Sequence, residues 1–417
     1  MIPVEEAQSL VLARIHRLEP ETVSVLDALG CVLAADIISD IDVAPFDNSA
    51  MDGYAVRAND TEGASDGSPV VLRVLEHIAA GMVPQRELGP GEVSRIMTGA
   101  PVPAGADAVV MVESTEGIEN AGGTGGTVAI KAPAALGDHI RRAGEEMLAG
   151  DVALRCGEIV GAAGIGLLAA LGRPTVEVYR RPRVAIVSTG DELVDITERP
   201  GPGKIRNANS YALSAQVLLA GGVPHVLGVA RDNVADTKAI LSRAPEFDLM
   251  VSTGGVSMGD FDVVKDVLAE IGDVDFWKVA MRPGAPQTYG TIGPTPFFGL
   301  PGNPTSTMVG FELFVRPSIR KMRGFTALAR PRVMARLATD VRKKSDRRYF
   351  LRGVLEPAAA PRAEARYDVR LAGSQSSAML TAMHRANCLV SLPEHESAVA
   401  AGSIVECIRL DQEEGTV

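Results

Sequence analysis

The feature that most constrains this chain is a regular alternation of apolar runs and amphipathic segments over residues 182–327. VAIVSTGDEL (184–193) and DLMVSTGGVSMGD (248–260) each join a continuous apolar run to a polar loop, and NSYALSAQVLLAGG (209–222) has helical periodicity between them. Continuous apolar strands that are separated by helices predict a parallel, doubly wound sheet covered on both faces.

The predicted helices of this region carry boundary signals. Asn209 or Ser210 is the expected N-cap of the first helix, and Gly221 is expected just beyond its end. Asp236 is expected near the start of the second helix, over 234–246.

The flanking regions follow other patterns. Residues 42–150 contain short strands and turns, which predict a β-rich module, and the glycine-dense segment 119–127 is expected to be a hairpin tip. Alternating strands after about residue 328 predict a small β-barrel with a loop over 356–365. The apolar spacing of residues 1–15 predicts an amphipathic helix. The fold class expected is therefore multidomain, α/β plus β.

Composition limits the function classes. The chain of 417 residues has 41 basic and 52 acidic residues, and its net charge of −11 argues against broad binding to nucleic acid or anionic membranes. Its four cysteines form no CxxC pair, so we expect reduced, mostly buried thiols. The N-terminus lacks the pattern of a signal peptide, and no apolar run reaches the length of a membrane span; the segment 159–172 is expected to be a tightly packed buried helix. We expect a cytoplasmic protein.

Polar and glycine-containing loops follow the predicted strands, and such loops converge at the carboxyl edge of a parallel sheet. Their glycines let backbone N–H groups approach phosphate oxygens, yet no loop matches GxGxxG or the GxxxxGK[ST] phosphate loop. Taken alone, each glycine is as well explained by a simple turn. The expected crevice residues are Ser188, Thr189, Gly190, Asp191, Glu192, Asp232, Ser252, Thr253, Gly254, Gly255, Ser257, Asp260, Asp262, Gly302, Asn303, Pro304, Thr305 and Ser306.

Charged residues in this region suggest a site for a cation and a phosphate-bearing ligand. Strand-end carboxylates such as Asp232 suit a hard cation such as Mg²⁺, although each could instead be a helix cap or a solvated loop residue. Lys278, Arg282, Lys204 and Arg206 are the basic candidates, with a solvated surface position as the alternative for each.

Six segments, taken in order and spacing, resemble the motifs of the molybdopterin molybdotransferase family and the related gephyrin E domain. The likeness is strong over residues 1–327 and looser beyond. The segments are PFDNSAMDGYAV (45–56), IMTGAPVPAGADAVVMVE (96–113), STGDEL (188–193), GKIRNANS (203–210), STGGVSMGDFD (252–262) and GLPGNPTS (299–306).

The resemblance implies four domains in a homodimer whose cleft combines the α/β domain of one subunit with the β-rich domain of its partner. The implied divisions are a molybdopterin-binding α/β domain (1–19 plus 177–327), a linking domain (20–38 plus 150–176), a β-rich domain (39–149) and a C-terminal β-barrel (328–417).

Site residues follow from the same resemblance. The implied catalytic residues are Asp52, Thr98, Glu192, Asp232 and Asp262, of which the last three would also hold the metal. The implied substrate-binding residues are Asp47, Asn48, Ser49, Glu146, Ser188, Thr189, Gly190, Thr253, Gly254, Gly255, Ser257, Lys278, Arg282, Pro301, Gly302, Asn303, Pro304 and Ser306. For Asp47, Asn48 and Ser49, a simple turn after Pro45 is the alternative.

Two positions depart from the family pattern. Glu146 stands where an aspartate is usual, so the carboxylate persists with a longer reach. Ala285 interrupts a lysine-rich KPGKP pattern that reads RPGAP here, so one positive charge is missing while Arg282 can still bind an oxyanion in bidentate fashion.

The reaction that the resemblance implies is insertion of molybdate into adenylylated molybdopterin (molybdopterin-AMP) with release of AMP and with Mg²⁺ as cofactor. Adenylylation of molybdopterin is an alternative, but enzymes of that step typically consist of the α/β domain alone. A non-catalytic scaffold is a third reading, against which the acidic loops argue. Tungstate remains open beside molybdate, and a molybdopterin adenylyltransferase and cofactor-accepting molybdoenzymes are further partners that the resemblance allows.

Overall fold

A computed structural model describes residues 1–119, 124–255, 263–344, 346–359 and 364–412. The chain forms two compact units. The smaller unit comprises residues 24–29 and 35–176, and the larger unit comprises 1–23, 30–34 and 177–417. The chain passes between them four times, at residues 23–24, 29–30, 34–35 and 176–177, and the first and last passages lie within the strands Pro20–Ser24 and Thr175–Tyr179.

The smaller unit is built on a six-stranded sheet. Two of its neighbouring strands, Val70–Ile78 and Glu92–Ile96, run parallel, and the other neighbours are antiparallel. In spatial order the strands are Ala108–Met111, Gly53–Val56, Glu92–Ile96, Val70–Ile78, Thr127–Ile130 and Thr115–Glu119. The last two strands form the hairpin that the glycine-dense segment predicts, and residues 120–123 at its tip lie outside the described residues. The β-rich module is confirmed.

The two faces of this sheet bury separate apolar clusters, because successive side chains of a strand point to opposite faces. Tyr54 and Val56 pack in one cluster, whereas Ala55 packs in the other with Ile96. Gly53, just before them, has no room for a side chain, since a Cβ atom there would lie 2.0 Å from the carbonyl oxygen of Val110.

Short elements complete the smaller unit. Asn48–Ser49 pairs with Ile140–Arg141, and Ile37–Ile38 pairs with Val152–Leu154. The remaining elements are the 3₁₀ turns Ala58–Thr61 and Val112–Ser114 and the helix Ala162–Ala170. The prediction that segment 159–172 is a buried helix is half wrong. The helix forms, but Leu168 is its one buried residue. The exposed residues of the helix are alanines and a glycine.

The larger unit contains the α/β sheet, which is doubly wound as predicted and is mixed at one edge. Its first four strands are parallel, the fifth is antiparallel to them, and the sixth is antiparallel to the fifth. In spatial order they are Val223–Ala230, Arg183–Thr189, Leu249–Thr253, Thr295–Leu300, Pro286–Ile292 and Asp273–Lys278. The strand pair Leu193–Val194 and Ile205–Arg206 lies in the loop after Arg183–Thr189.

Helices cover both faces of this sheet. Val184 and Ile186 of the strand Arg183–Thr189 belong to one core cluster, whereas Ala185 and Val187 belong to a second on the opposite face. The described helical elements are Val4–Arg14, Ala208–Leu219, Val234–Leu241, Ala244–Glu246 (3₁₀), Val263–Ile271, Pro304–Gly310, Phe311–Val315 (π) and Arg316–Met322.

The helix caps correct one prediction and confirm two. The N-cap of the first helix is Asn207, whose side chain accepts a hydrogen bond from the Ser210 backbone N–H, so the expected cap at Asn209 or Ser210 is wrong by two or three residues. Gly221 follows the helix with a φ of 84°, as predicted. Asp236 lies in the first turn of the next helix, also as predicted.

The C-terminal part of the larger unit is a closed barrel, as predicted. Each of its five strands pairs with two neighbours, so the ring has no free edge. Around the ring the strands are Arg348–Pro357, Tyr367–Leu371, Arg332–Leu337, Ile404–Arg409 and Cys388–Leu392. The pair Val341–Arg342 and Ala398–Val399 and the helix Leu380–Arg385 accompany it. The predicted loop over 356–365 falls between two of its strands, and its residues 360–363 are outside the described set.

Two elements bridge the α/β sheet and the barrel. Met281–Arg282, in the loop before strand Pro286–Ile292, pairs in parallel with Arg348 and Tyr349 of the barrel. The Thr305 backbone N–H donates to the Ser377 carbonyl oxygen at 3.0 Å.

The cysteines agree with the predicted reduced, mostly buried thiols, because none of the four forms a disulfide and three of them are buried. No helix among the described residues has the length and apolarity needed to cross a membrane.

Candidate active site

A cavity of about 1350 Å³ lies in the larger unit, beyond the carboxyl ends of the parallel strands. Loops from the α/β sheet form one wall and the barrel forms the other. The predicted site residues that line it are Thr189, Gly190, Glu192, Asp232, Gly254, Gly255, Arg282, Pro301, Gly302, Asn303, Pro304 and Ser306. The strand-end argument thus placed most of its residues in one crevice.

Carboxylates form one edge of the cavity. The Asp191 backbone N–H donates to Asp232 Oδ2 at 3.2 Å, and the Asp232 N–H donates back to Asp191 Oδ1 at 3.3 Å, which fixes the two loops against each other. The Glu192 carboxylate lies so close to Gly190 that a Cβ atom there would be 2.4 Å from Oε2. Glu192 and Asp232 are both exposed and therefore available to a ligand.

Gly254 and Gly255 form a turn that only glycine fits. Both have positive φ, 90° and 63°, and a Cβ atom on either would lie 2.8 Å from Thr189 Oγ1. The Thr189 hydroxyl is buried and has no hydrogen-bond partner among the residues that the structure describes. At this point the cavity wall therefore consists of bare backbone and one hydroxyl.

A hydrogen-bond network holds the loop after strand Thr295–Leu300. Thr253 Oγ1 donates to the Pro301 carbonyl oxygen at 3.1 Å, and Asn209 Nδ2 donates to the Gly302 carbonyl oxygen at 2.8 Å. Thr253 is buried and does not line the cavity, so its part here is to position the loop.

The barrel wall was missed by the sequence reasoning. Arg352 is its most unusual residue, because it is fully buried on a barrel strand. Its backbone N–H donates to Gln375 Oε1 at 2.8 Å. The residues that the barrel contributes are Asp340, Val341, Arg342, Lys344, Arg347, Tyr349, Leu351, Arg352, Leu371, Gln375, Ser376, Ser377 and Ala378. A lone charge in the apolar run YFLRGVL was the available signal for Arg352.

The guanidinium of Arg352 is only partly satisfied. Its Nη2 atom donates to the Ser376 carbonyl oxygen at 3.1 Å, but Nε and Nη1 have no partner in the described chain. Burial lowers the pKa of Arg352 to about 10, and no carboxylate acts to raise it. A buried cation without a counter-charge is costly, and an anion in the cavity would offset that cost.

Arg282 reaches the barrel from the opposite wall. Its Nη1 donates to the Tyr349 hydroxyl at 3.3 Å, and its guanidinium carbon lies 5.4 Å from the centre of the Tyr349 ring. The same hydroxyl accepts the Lys344 backbone N–H at 2.9 Å. The Tyr349 hydroxyl therefore bonds to a basic residue from each of the two walls, Arg282 and Lys344.

Some predicted residues do not face the cavity. Ser188 is fully buried and its hydroxyl bonds to Asn207 and Ser210, and Lys278 lies on the edge strand outside the lining. The basic candidates Lys204 and Arg206 instead donate to backbone carbonyl oxygens of their own loop. The predicted residues Ser257, Asp260 and Asp262 lie outside the described residues.

The smaller unit brings Asp52 and Thr98 together. These residues flank two paired strands, with Gly53 opposite Ile96. Asp52 Oδ1 accepts the Thr98 backbone N–H and hydroxyl, each at 2.7 Å. The two hydrogen bonds from Thr98, the backbone one first, lower the pKa of Asp52, so this exposed carboxylate is ionised at neutral pH.

The first motif supports a second exposed loop. Asp47 accepts the Ala143 N–H at 2.8 Å and pairs with Arg142 at 2.6 Å, and the Ala143 bond is the largest contribution that lowers the pKa of Asp47. Asn48 and Ser49 are buried in a short paired strand and not in the simple turn that was their alternative, and their part in substrate binding stays a prediction. Glu146 is exposed in the segment after Arg142.

The predicted metal set is tested only in part. Among the described residues no group of three or more His, Cys, Asp or Glu side chains could hold a metal ion. Asp262, the third predicted ligand, lies outside these residues, while Glu192 and Asp232 present hard oxygen donors at one cavity edge. The donor chemistry fits Mg²⁺ with additional oxygens from a substrate.

The doubly wound sheet, the closed barrel and the cavity lined by carboxylates and arginines define a multidomain α/β protein with a candidate ligand site at its strand ends. Comparison with known proteins gives the family. Profiles described as the MoeA N-terminal region (domain I and II), a probable molybdopterin binding domain and the MoeA C-terminal region (domain IV) match residues 2–172, 185–321 and 334–410.

Relatives match over the full length. Molybdopterin molybdenumtransferase 2 of Mycobacterium tuberculosis is 42% identical over 97% of this chain and 98% of its own length. The Bacillus subtilis molybdopterin molybdenumtransferase is 38% identical over 100% and 95%, respectively. The crystal structure of a molybdopterin biosynthesis MoeA protein from Pyrococcus horikosii has 34% identity and a TM-score of 0.82, covering 99% of this chain and 100% of that one. The chain belongs to the MoeA family of molybdopterin molybdenumtransferases, the transferases of molybdenum cofactor biosynthesis.

Proposed function

We propose that the cavity of the larger unit binds molybdopterin-AMP and molybdate and that the enzyme inserts the metal with release of AMP. Arg352 carries this proposal: the residue lines the cavity, its guanidinium is buried and incompletely bonded, and Glu192 and Asp232 line the same cavity from the α/β sheet. Such a site accepts a small anion at one end and a cation-bridged polyphosphate at the other.

The oxyanion end is formed by Arg352, Arg282 and Ser306. Molybdate is a tetrahedral dianion, and two guanidinium groups and a hydroxyl can donate to its oxygens from different directions. Both arginines line the cavity from opposite walls, which suits an ion held between them. Tungstate has the same charge and shape, so the same residues would accept it.

The nucleotide end lies at the glycine turn and the acidic edge. The backbone at Gly254 and Gly255 permits close approach of phosphate oxygens, because neither residue carries a side chain. We propose that Glu192, Asp232 and Asp262 hold Mg²⁺. When bound, this ion would neutralise charge on the phosphoanhydride of the substrate.

The protein residues have distinct parts in this scheme. Arg352 and Arg282 hold molybdate beside the dithiolene, and the Gly254 turn holds the phosphate chain in place. A carboxylate that is not occupied by the cation orients the water that attacks the phosphoanhydride and accepts its proton. The two dithiolene sulfurs replace one oxygen of molybdate, which leaves as water with the two thiol protons. AMP leaves with the oxygen of the attacking water on its phosphate, and the metal stays on the dithiolene of the freed molybdopterin phosphate.

The Asp52–Thr98 loop is proposed to act in a homodimer, at the cavity of the partner subunit. The apolar helix Ala162–Ala170 supports self-association. Its Ala162 and Ala169 are exposed and Ile159 just before it is half exposed, which is unusual for a helix without any charged residue. Solution mass tests this directly: Ala169→Glu should shift a dimer towards monomer, and a wild-type monomer with full activity would refute the shared site.

The reaction is tested with purified molybdopterin-AMP, Mg²⁺ and molybdate, by following AMP release and cofactor formation. We expect molybdate-dependent turnover that Glu192→Gln and Asp52→Asn both reduce by at least about 100-fold. Arg366→Gln, which removes an exposed barrel charge outside the cavity, is the matched control. Turnover that is unaffected by the first two substitutions would contradict the proposed site.

A further inference from the structure

A basic segment of the barrel, residues 341–348, borders the cavity beside Arg352. Its sequence, VRKKSDRR, would be a solvated charge run on most surfaces. Here the basic residues of the segment fall into two groups, those that line the cavity and those that do not. Arg342, Lys344 and Arg347 line the cavity, whereas Lys343 and Arg348 do not.

The two that point away have structural partners. Lys343 donates to the carbonyl oxygens of Pro393 and Glu394, and burial lowers its pKa. Arg348 pairs with Glu5 and Glu394. These bonds fix the segment from behind, so its remaining cations are presented to the cavity.

The three cavity-facing cations have no ion-pair partner among the residues that the structure describes. Asp340 also lines the cavity and Asp346 is exposed nearby, which leaves an excess of positive charge. The backbone of Lys344 is held by the Tyr349 hydroxyl at 2.9 Å, the same group that accepts from Arg282. Three cations without ion-pair partners in the described part of the chain are suited to an anion with several oxygens.

We infer that Arg342, Lys344 and Arg347, here called the barrel rim, bind the phosphate groups of the nucleotide part of the substrate. This inference rests on the proposed function and assigns the barrel a direct part in recognition. Arg352 lies deep in the wall and suits a small ion, whereas the exposed barrel rim suits a larger ligand that enters from solvent.

The test measures binding of two separate probes, AMP and inorganic molybdate, to the full-length protein. Arg342→Gln, Lys344→Gln and Arg347→Gln should each weaken AMP binding about two- to five-fold, and the triple variant should weaken it further. Molybdate binding should change less than about two-fold. Arg366→Gln is the control, because it removes one exposed barrel charge outside the cavity.

Salt dependence provides a second readout. AMP binding by the wild type should weaken as NaCl rises from about 50 to 500 mM, and the triple variant should show a shallower dependence, because salt screens exposed charges. Thermal unfolding checks that all variants remain folded.

Each contrary outcome overturns the inference. Unchanged AMP binding by the triple variant, an equal loss in Arg366→Gln, or loss of molybdate instead of AMP would each contradict it. Failure of the wild type to bind AMP would do so as well. The proposed function is judged separately, by the turnover of Glu192→Gln and by loss of molybdate binding in Arg352→Gln.

Discussion

Replacement of Arg352 by methionine should separate ligand binding from stability. Burial lowers the pKa of this guanidinium from its ordinary value to about 10. That difference corresponds to about 3 kcal/mol of unfavourable free energy for the charged form in the folded state. Because the folded-state pKa lies below the unfolded value, this cost is fully present at neutral pH and would diminish only as the pH rises through 10.

The substitution also removes favourable contacts. The guanidinium donates to two carbonyl oxygens, those of Ser374 and Ser376, and each bond contributes about 1 kcal/mol net. Methionine is unbranched and fills similar space without a charge. Relief of desolvation and loss of two bonds nearly cancel, so Arg352→Met should change the free energy of unfolding by no more than about 1 kcal/mol in either direction.

Two measurements decide this prediction. Urea unfolding without ligand should give nearly equal stability for the wild type and Arg352→Met, and millimolar molybdate should stabilise only the wild type. Loss of a buried arginine that serves the fold would instead cost about 3–5 kcal/mol. A destabilisation of that size, or undiminished stabilisation of the variant by molybdate, would refute the reading of Arg352 as an anion-binding residue.

Three further outcomes are expected. Gly254→Ala should lower stability by about 2 kcal/mol or more, because its φ is positive and its Cβ atom would lie 2.5 Å from the Thr189 carbonyl oxygen; a melting temperature equal to the wild type would count against this. Ala285→Lys adds a cation to the cavity lining and should tighten molybdate binding about five-fold in a titration, whereas weaker binding would contradict the proposed oxyanion end. Thr98→Val removes the hydroxyl donor to Asp52 and should raise the Asp52 pKa towards its ordinary value, as followed by carboxyl NMR. Since the wild-type pKa is lowered, activity should be lost through this group only in strongly acidic solution, and an Asp52-dependent loss near neutral pH would contradict this.

The α/β half of the site could be predicted because it depends on local pattern. Apolar runs that end in polar loops give the strand ends, and parallel strands bring those ends together. The sequence therefore predicts one crevice for Thr189, Glu192 and Asp232, and all three line the cavity. Ser188 and Thr253 were predicted to line the crevice, but both are buried and neither lines the cavity. Periodicity cannot decide which hydroxyl of a short loop faces the ligand.

The barrel wall could not be predicted by this reasoning, because its approach to the cavity depends on contacts between distant parts of the chain. Met281 and Arg348, for example, pair across 67 residues. Burial of Arg352 is likewise a property of the closed ring. The predicted burial of the helix Ala162–Ala170 was wrong for a related reason. Its composition indicates apolar surroundings but does not say whether they come from the same chain.

The division of the chain into four domains stays a prediction, and so do the metal set and the shared cleft. Asp262 lies outside the described residues, so the proposed triad with Glu192 and Asp232 rests on two observed carboxylates. Gly254 and Gly255 were predicted as site residues and have positive φ, a backbone geometry that favours glycine in the sequence.

The parallel pairing of Met281–Arg282 with the barrel has a consequence for how the molecule can move and evolve. A hinge between the α/β sheet and the barrel would have to break this ladder and the bond from Thr305 to Ser377. Substrate exchange must then rely on side chains and loops instead of rotation of a whole barrel. For the same reason the barrel cannot be swapped for that of a relative without carrying the 281–286 loop along, and these two stretches of sequence should be inherited together.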